Sequence, residues 1–480
     1  MKTGPTINTA YSNLRKNPIP LAFLLSFLYW GYLFFASKMY VSADAVGYES
    51  LGKLLLENGW VQYFQSGPQR EPLYPLLISV SMKTAGFLQI PYQSVQKILQ
   101  IFLLTVTQGL IFLLAKKLKV SDRVIFFVLL YFGFSPIVVN TGFSLFSEIV
   151  TFPLLLGIVL VGAEAWQAIV RENLRRAAFQ GLGLGLLFLC IISVKGIFEY
   201  IFLFFICPYL CLLFIALFRR QKKLFFVSVL FTLCIVLVYK GGTVFYKSLN
   251  QKYNGHFTIT DRGSWLMYGN TARRTGPLSA RQYLTALASI PGEGVCRAIF
   301  KEECDFWSFK TSDGLGLAKR AQIQSAGMDE DKIDAALIET AKQEILKKPF
   351  AYIVLGLMES ARMLFWESTQ IGFVAYPPWL KTLFENLIFK NGLRFLVFVL
   401  TCFALWVAFS QLWRNKTALL SGSANTTETT ILFFTLFLLL SYIALYSLVS
   451  IVARFAIPLA PIYLIAIGIF LDRIIRKFCK

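Results

Sequence analysis

Asp44, Arg70, Glu71, Glu148, Lys195, Glu199 and Arg454 lie in or beside long apolar stretches of this 480-residue chain. An ionisable group at membrane depth is costly, so it needs a partner or a function. Carboxylates and cations together suit group transfer from a phosphate. A carboxylate takes the proton of an acceptor hydroxyl, while Arg or Lys stabilises the charge developing on a phosphate leaving group. The single histidine, His256, nearly excludes His-rich metal sites and Ser-His-Asp triads. Asp44 and Glu148 are hard oxygen donors of the kind Mg²⁺ or Mn²⁺ accepts, so a divalent ion is the secondary expectation and no cofactor the primary one.

Each residue also has a plainer reading. Asp44 is placed to N-cap a helix beginning near Ala45. Glu71 adjoins Arg70 and reads as a solvated charge pair beside a proline turn. Glu148 opens an apolar run, where the helix dipole favours an acid by about 0.3–1 kcal/mol. Lys195 and Glu199 are four apart, the spacing of a local ion pair. Of the eight cysteines, six lie in or beside apolar segments and read as inert packing, whereas Cys296 and Cys304 sit in a polar stretch and read equally as a small disulfide or as two free thiols.

The elements that must position these side chains are membrane helices. Hydrophobic residues make up 56% of the chain, and its mean hydropathy is +0.61. Continuous apolar runs long enough to cross a bilayer core of about 30 Å recur along it, and they do not alternate as barrel strands do. The expected fold is an all-α polytopic membrane protein. Runs lie at 19–40, 98–115, 124–140, 145–168, 177–194, 197–218 and 224–246, with three more at 393–413, 430–450 and 455–472. The first resembles a signal peptide, but its apolar core is too long and many spans follow, so it reads as an uncleaved anchor.

A formal net charge of +21 would suggest nucleic acid in a soluble protein, but here it is a topology signal. Basic clusters (Arg15 and Lys16; Lys116, Lys117, Lys119 and Arg123; Arg171, Arg175 and Arg176; Arg219, Arg220, Lys222 and Lys223; Arg414 and Lys416; the tail from Arg473) fall on alternate loops. These are the cytoplasmic loops. The rule requires an even number of spans, so the apolar segment 349–366 reads as interfacial or re-entrant rather than as an eleventh span. Two long loops are left on the other side. Residues 41–97 carry half-apolar stretches suited to lying along the bilayer, and residues 247–349 are polar and nearly charge-balanced, ending in a helix over 328–347. The chain thus divides into a seven-span module, 1–246, the large loop, 247–349, and a C-terminal module, 350–480, of three spans plus the interfacial segment. Threaded this way, Asp44, Arg70, Glu71, Glu148, Lys195, Glu199 and Arg454 all reach the extracytoplasmic face of a cell membrane.

An Asp shortly beyond the first span, the first-loop element "REPLYP", the acid of "FSEIVTFPLLL" opening the fourth span, seven spans before a large outer loop, and "ARFAIPLAP" opening the last span together resemble the GT-C superfamily of membrane glycosyltransferases. Within it, the likeness is to the protein O-mannosyltransferase and aminoarabinose (lipid A) transferase branch. It covers the first half of the chain and the final span. The resemblance implies an inverting transferase that takes its sugar from a polyprenyl-phosphate-linked donor, with Asp44 as catalytic base. Arg70 and Glu71 then shape the donor site, Arg454 is the cation near the last outer helix start, and Glu148 is a second carboxylate. Lys195 is added as a phosphate candidate because a lysine on a short outer hairpin runs against the charge bias. Ala45 stands where some relatives carry a second acid, and Phe455 where an Arg-Tyr pair is common. The expected partners are a lipid-linked sugar and a lipid, glycan or protein acceptor, with no nucleic acid. The competing readings are a transporter or lipid flippase, and a polysaccharide polymerase or ligase.

Overall fold

The computed structural model describes residues 18–260, 263–368, 373–419, 426–449 and 451–478. The chain folds as an all-α, multi-pass membrane protein. Nine helices among the described residues are long and apolar enough to cross a bilayer, and a bent pair brings the number to ten. In chain order the helices of the first half are α1 (Ile19–Ala36), α2 (Asp44–Gln65), α3 (Leu73–Leu88), α4 (Tyr92–Lys117), α5 (Asp122–Phe134), α6 (Pro136–Phe143), α7 (Glu148–Val170), α8 (Leu174–Ile192), α9 (Phe198–Phe218) and α10 (Lys222–Asn254). The large loop carries α11 (Gly263–Thr275), α12 (Ala280–Ala288), α13 (Glu293–Phe300), α14 (Phe309–Ser325) and α15 (Glu330–Lys347). There follow α16 (Pro349–Ser360), α17 (Pro378–Glu385), α18 (Leu387–Arg414), α19 (Thr426–Val449), a 3₁₀ turn at Ala453–Leu459, and α20 (Ala460–Phe478).

The hydrophobic pattern explains the layering. Helix α7 is apolar nearly all round and α20 is apolar up to Asp472, and both are buried at the centre. α7 packs against α4, α8 and α19, while α20 packs against α18 and α5. Gly181 and Gly185, four apart on α8, let the backbone of α10 approach. A methyl group at either would stand 2.9 Å from the carbonyl oxygen of Phe231 or Ile235. Small residues at this spacing are the usual device for close helix packing where no hydrophobic force separates helix from lipid.

The run read as one span over 124–140 is instead broken. α5 and α6 meet at 48°, because Pro136 has no N–H to continue the helix and Ser135 N-caps α6, its hydroxyl accepting from Val138 N–H at 3.4 Å. The buried Glu367 carboxylate seals the break, accepting from the Ile137 N–H at 3.0 Å and from the hydroxyls of Ser135 at 2.7 Å and Tyr131 at 2.6 Å. The boundary drawn at 246 falls inside α10, whose 33 residues span about 50 Å and project into the large-loop side. α16 has 12 residues, about 18 Å, and is too short to cross. The half-apolar parts of the first loop form α2 and α3, with α2 kinked at Gly59, which adopts φ +74°. Two short strands, β1 (Lys38–Met39) and β2 (Val374–Ala375), pair antiparallel with Lys38 opposite Ala375, fastening the start of the first loop to the segment before α17.

The basic clusters from Lys116 onward gather at one end of the bundle, while Arg15 and Lys16 lie outside the described residues. There Lys117 meets Glu164 at 3.1 Å, Lys223 meets Glu172 at 3.3 Å, and Arg476 donates to the Lys119 carbonyl. The first loop, the 193–197 turn, the large loop and the start of the last span occupy the opposite end.

Candidate functional site

Five charged residues from four remote parts of the chain form a continuous row at that opposite end. Asp44 is the first residue of α2. Its Oδ1 accepts from Arg70 Nη2 at 2.8 Å, and its Oδ2 accepts from Arg454 Nη2. Arg454 Nε lies 3.4 Å from Glu148 Oε1, to which Lys195 Nζ donates at 3.0 Å. The row therefore runs Arg70, Asp44, Arg454, Glu148, Lys195. The row is most open at Asp44 and Arg454, 23% and 26% exposed, and more buried at Arg70, Lys195 and above all Glu148, which is 2% exposed.

Local structure explains each placement. Asp44 does not cap its helix. Ala43 is the N-cap residue, at φ +52°, with no side-chain cap, and the Asp44 carboxylate turns to the two arginines. A non-glycine residue with positive φ is strained, and the strain sits one residue from Asp44. Arg70 is held from three sides. Its guanidinium lies over the Tyr48 ring, 4.3 Å from the centroid, its carbonyl accepts from Tyr63 at 3.0 Å, and Gly47 leaves it room. Tyr48 in turn shares a hydrogen bond of 3.0 Å with Ser147, the residue before Glu148. It also meets Tyr74 edge-on at 5.0 Å. Arg454 rises from the 3₁₀ turn at Ala453–Leu459, 5.1 Å above the Phe146 ring.

The plainer readings of the remaining charges are corrected. Glu71 does not pair with Arg70. Its Oε1 accepts from the Gly196 N–H at 2.7 Å, and with Leu73 N–H donating to the Ser193 carbonyl at 2.8 Å it stitches the first loop to the turn that carries Lys195. Lys195 and Glu199 do not pair with each other, because Lys195 turns to Glu148 and Glu199 takes Lys247 at 2.7 Å. Cys296 and Cys304 form a disulfide with Cα atoms 5.8 Å apart. It belongs to the large loop and not to the charged row.

Burial by itself would raise the Asp44 carboxyl, but the Arg454 and Arg70 guanidiniums outweigh it and hold the group well below the usual carboxylate range. Burial would lower the Lys195 ammonium, and Glu148 beside it more than reverses that. Asp44 and Glu148 are separated by Arg454, and each of their paired oxygens faces a cation. Three cations and two carboxylates leave the row with one net positive charge. Among the described residues no group of three or more His, Cys, Asp or Glu comes together.

Sequence reasoning passed over Tyr48, Phe146 and Gly47. Tyr48 carried a usable signal, since a residue four beyond Asp44 stands on the same helix face one turn along. Phe146 and Gly47 carried none, being ordinary residues of an apolar run and an amphipathic helix.

Set against known proteins, the chain matches no protein-family model and no curated protein.

Proposed function

We propose that this protein is a GT-C-type glycosyltransferase that moves one sugar from a polyprenyl-phosphate-linked donor to an acceptor hydroxyl at the extracytoplasmic face of a cell membrane. The observation that carries the reading is the Asp44 carboxylate between two arginines, with a lysine and a further acid beyond, at the end of an apolar bundle. The orientation follows from the basic clusters, which mark the opposite end as cytoplasmic.

In the reaction Asp44 takes the proton of the acceptor hydroxyl, and the acceptor oxygen attacks the anomeric carbon. The bond from that carbon to the phosphate oxygen breaks, its electron pair leaving with the phosphate, and the configuration inverts. Arg70 and Arg454, with Lys195 behind them, stabilise the charge arriving on that phosphate. Glu148 holds Arg454 and Lys195 in place, and Glu71 holds the two loops together. The acceptor, whether lipid, glycan or protein, is expected to be read by the large loop.

The test is mass spectrometry of envelope lipids and glycoconjugates from cells with the chain, without it, and with Asp44→Asn at equal abundance. A mass difference of one sugar that vanishes in both deficient strains is expected. An unchanged profile in the Asp44→Asn strain removes Asp44 as the base, and a polymer ladder points to a polymerase or ligase.

One observation favours the transporter reading, namely the broken helix of α5 and α6, a feature of transporter binding sites. The N-terminus of that half-helix, however, is already occupied by the protein's own Glu367. Counterflow of labelled substrate in proteoliposomes without covalent change would favour transport over transfer.

A further inference from the structure

Asp44 is assigned the role of base, yet both its carboxylate oxygens are taken. Arg70 holds Oδ1 from the first loop, and Arg454 holds Oδ2 from the last. A carboxylate in two charge-assisted hydrogen bonds of this kind is stabilised in its ionised form and is a poor proton acceptor. The same two guanidiniums are the groups a phosphate would use.

They are not equally free to turn. Arg70 is wedged between the Tyr48 ring and the Gly47 backbone, is 12% exposed, and is braced by Tyr63. Arg454 is 26% exposed and has a second acid, Glu148, already within 3.4 Å of its Nε. Arg454 can therefore swing from Asp44 to an incoming anion without losing its anchor.

We propose that Asp44 is a caged base, released when the phosphate of a lipid-borne donor draws Arg454, and with it part of the charge of Arg70, away from the carboxylate. This rests on the transferase reading and adds an order to it. The donor binds first, its phosphate frees the base, and only then is an acceptor hydroxyl deprotonated. Without the donor the base stays quenched, so the site is inert toward water. Among the described residues, the groups at Asp44 include Arg70 from the first loop, itself over the Tyr48 ring, and Arg454 from the last, with Glu148 and Lys195 behind Arg454. The phosphate arrives with a charge of the sign that competes with Asp44 for the arginines. After transfer the new phosphate monoester holds the arginines more strongly than the diester did, and the proton on Asp44 passes to water as the product leaves and the cage closes again.

The test is carbodiimide labelling of carboxyl groups in the purified full chain in detergent, read by peptide mass spectrometry from pH 4 to 7. Asp44 is scored against Glu57, a reference carboxylate 56% exposed. Three arms are compared: no anion, inorganic phosphate, and a short-chain polyprenyl phosphate. Since the carbodiimide takes the protonated acid, an uncaged Asp44 reacts at higher pH. The expected result is a labelling profile that moves upward by about one pH unit, about tenfold in the Asp44 to Glu57 ratio, when the polyprenyl phosphate is present. An equal shift with inorganic phosphate assigns the release to the phosphate alone, and a shift with the lipid alone assigns it to the lipid-borne group. Arg454→Gln is expected to show the raised ratio with no anion. A profile unmoved by either anion overturns the cage, as does an Arg454→Gln protein whose Asp44 stays as protected as in the wild type. The two readings fail separately. An inactive Asp44→Asn protein alongside an unmoved wild-type profile rejects the cage and leaves the transferase. An active Asp44→Asn protein alongside a shifted profile keeps the anion gate and rejects Asp44 as base.

Discussion

Gly47 makes room for Arg70, since a methyl group on its Cα would stand 2.9 Å from Arg70 Nε and 3.3 Å from Nη2. The atoms met are the far end of a flexible side chain, so Gly47→Ala displaces the guanidinium more than it strains the backbone. Alanine is also the better helix former by about 1 kcal/mol. Gly47→Ala is therefore expected to leave the thermal unfolding temperature within a few degrees of wild type while lowering sugar transfer about tenfold or more, as the Asp44 to Arg70 contact is lost. Transfer at the wild-type rate in the folded variant would remove Arg70 from the site.

The pairing of Asp44 has a pH signature. Its carboxyl is depressed in the folded protein against an unfolded value of about 3.9, so the stability it contributes is present above that pH and is lost as pH falls through the folded value. Asp44→Asn is expected to be less stable than wild type at pH 7, with the gap narrowing below about pH 4. Thermal unfolding of both proteins from pH 3 to 7 measures it. A constant gap would mean that the charge of Asp44 does not stabilise the fold.

How far the sequence carried can be seen in these same residues. Spans were legible because a bilayer demands long apolar runs, and each run found in the sequence carries a helix in the structure, though 19–40 ends in a short strand and 124–140 is broken. The gathering of Asp44, Arg70, Glu148, Lys195 and Arg454 at one end was legible because charge bias fixes which helix ends lie together. The contacts within the cluster were not. Sequence adjacency suggested Arg70 with Glu71 and Lys195 with Glu199, whereas the structure pairs residues 26 and 47 positions apart. The break at Pro136 was visible as a proline but hidden by the apolar residues around it, and its seal, Glu367, lies 230 positions from Ile137. Periodicity reports which face of a helix is buried, not which helix covers it.

The large loop rests on a buried charge cluster that sequence reading missed. Glu359 on α16 is 1% exposed and accepts from Arg273 Nη2 at 2.6 Å and from Arg274 Nε and Nη2 at 2.8 and 2.6 Å, with Arg362 Nη1 at 3.7 Å. Burial pushes the Arg273 guanidinium down to about 10 even with Glu359 beside it. Arg274 also donates to the Ser447 carbonyl in the last turn of α19, which leads to Arg454. Glu359→Gln leaves three buried cations without their acid, a loss of about 3–5 kcal/mol. The expected result is faster hydrogen exchange across α11 and α16 and a lower unfolding temperature. Unchanged exchange there would show that the loop is held by its apolar contacts alone.

The Glu148–Lys195 pair of the charged row separates structure from chemistry. Glu148 is 2% exposed and Lys195 13%, and their contact is 3.0 Å. Glu148→Gln leaves the Lys195 ammonium without its acid and is expected to cost about 3 kcal/mol, whereas Lys195→Met leaves Glu148 still beside Arg454 and is expected to cost less. The double variant loses both charges together and should cost less than the sum, with a coupling of about 1–3 kcal/mol. Transfer activity is expected to behave differently. If Lys195 also meets the donor phosphate, restoring stability in the double variant does not restore transfer, and the rate stays as low as in Lys195→Met. A double variant that recovers both would reduce Lys195 to a partner for Glu148, leaving the phosphate to Arg70 and Arg454.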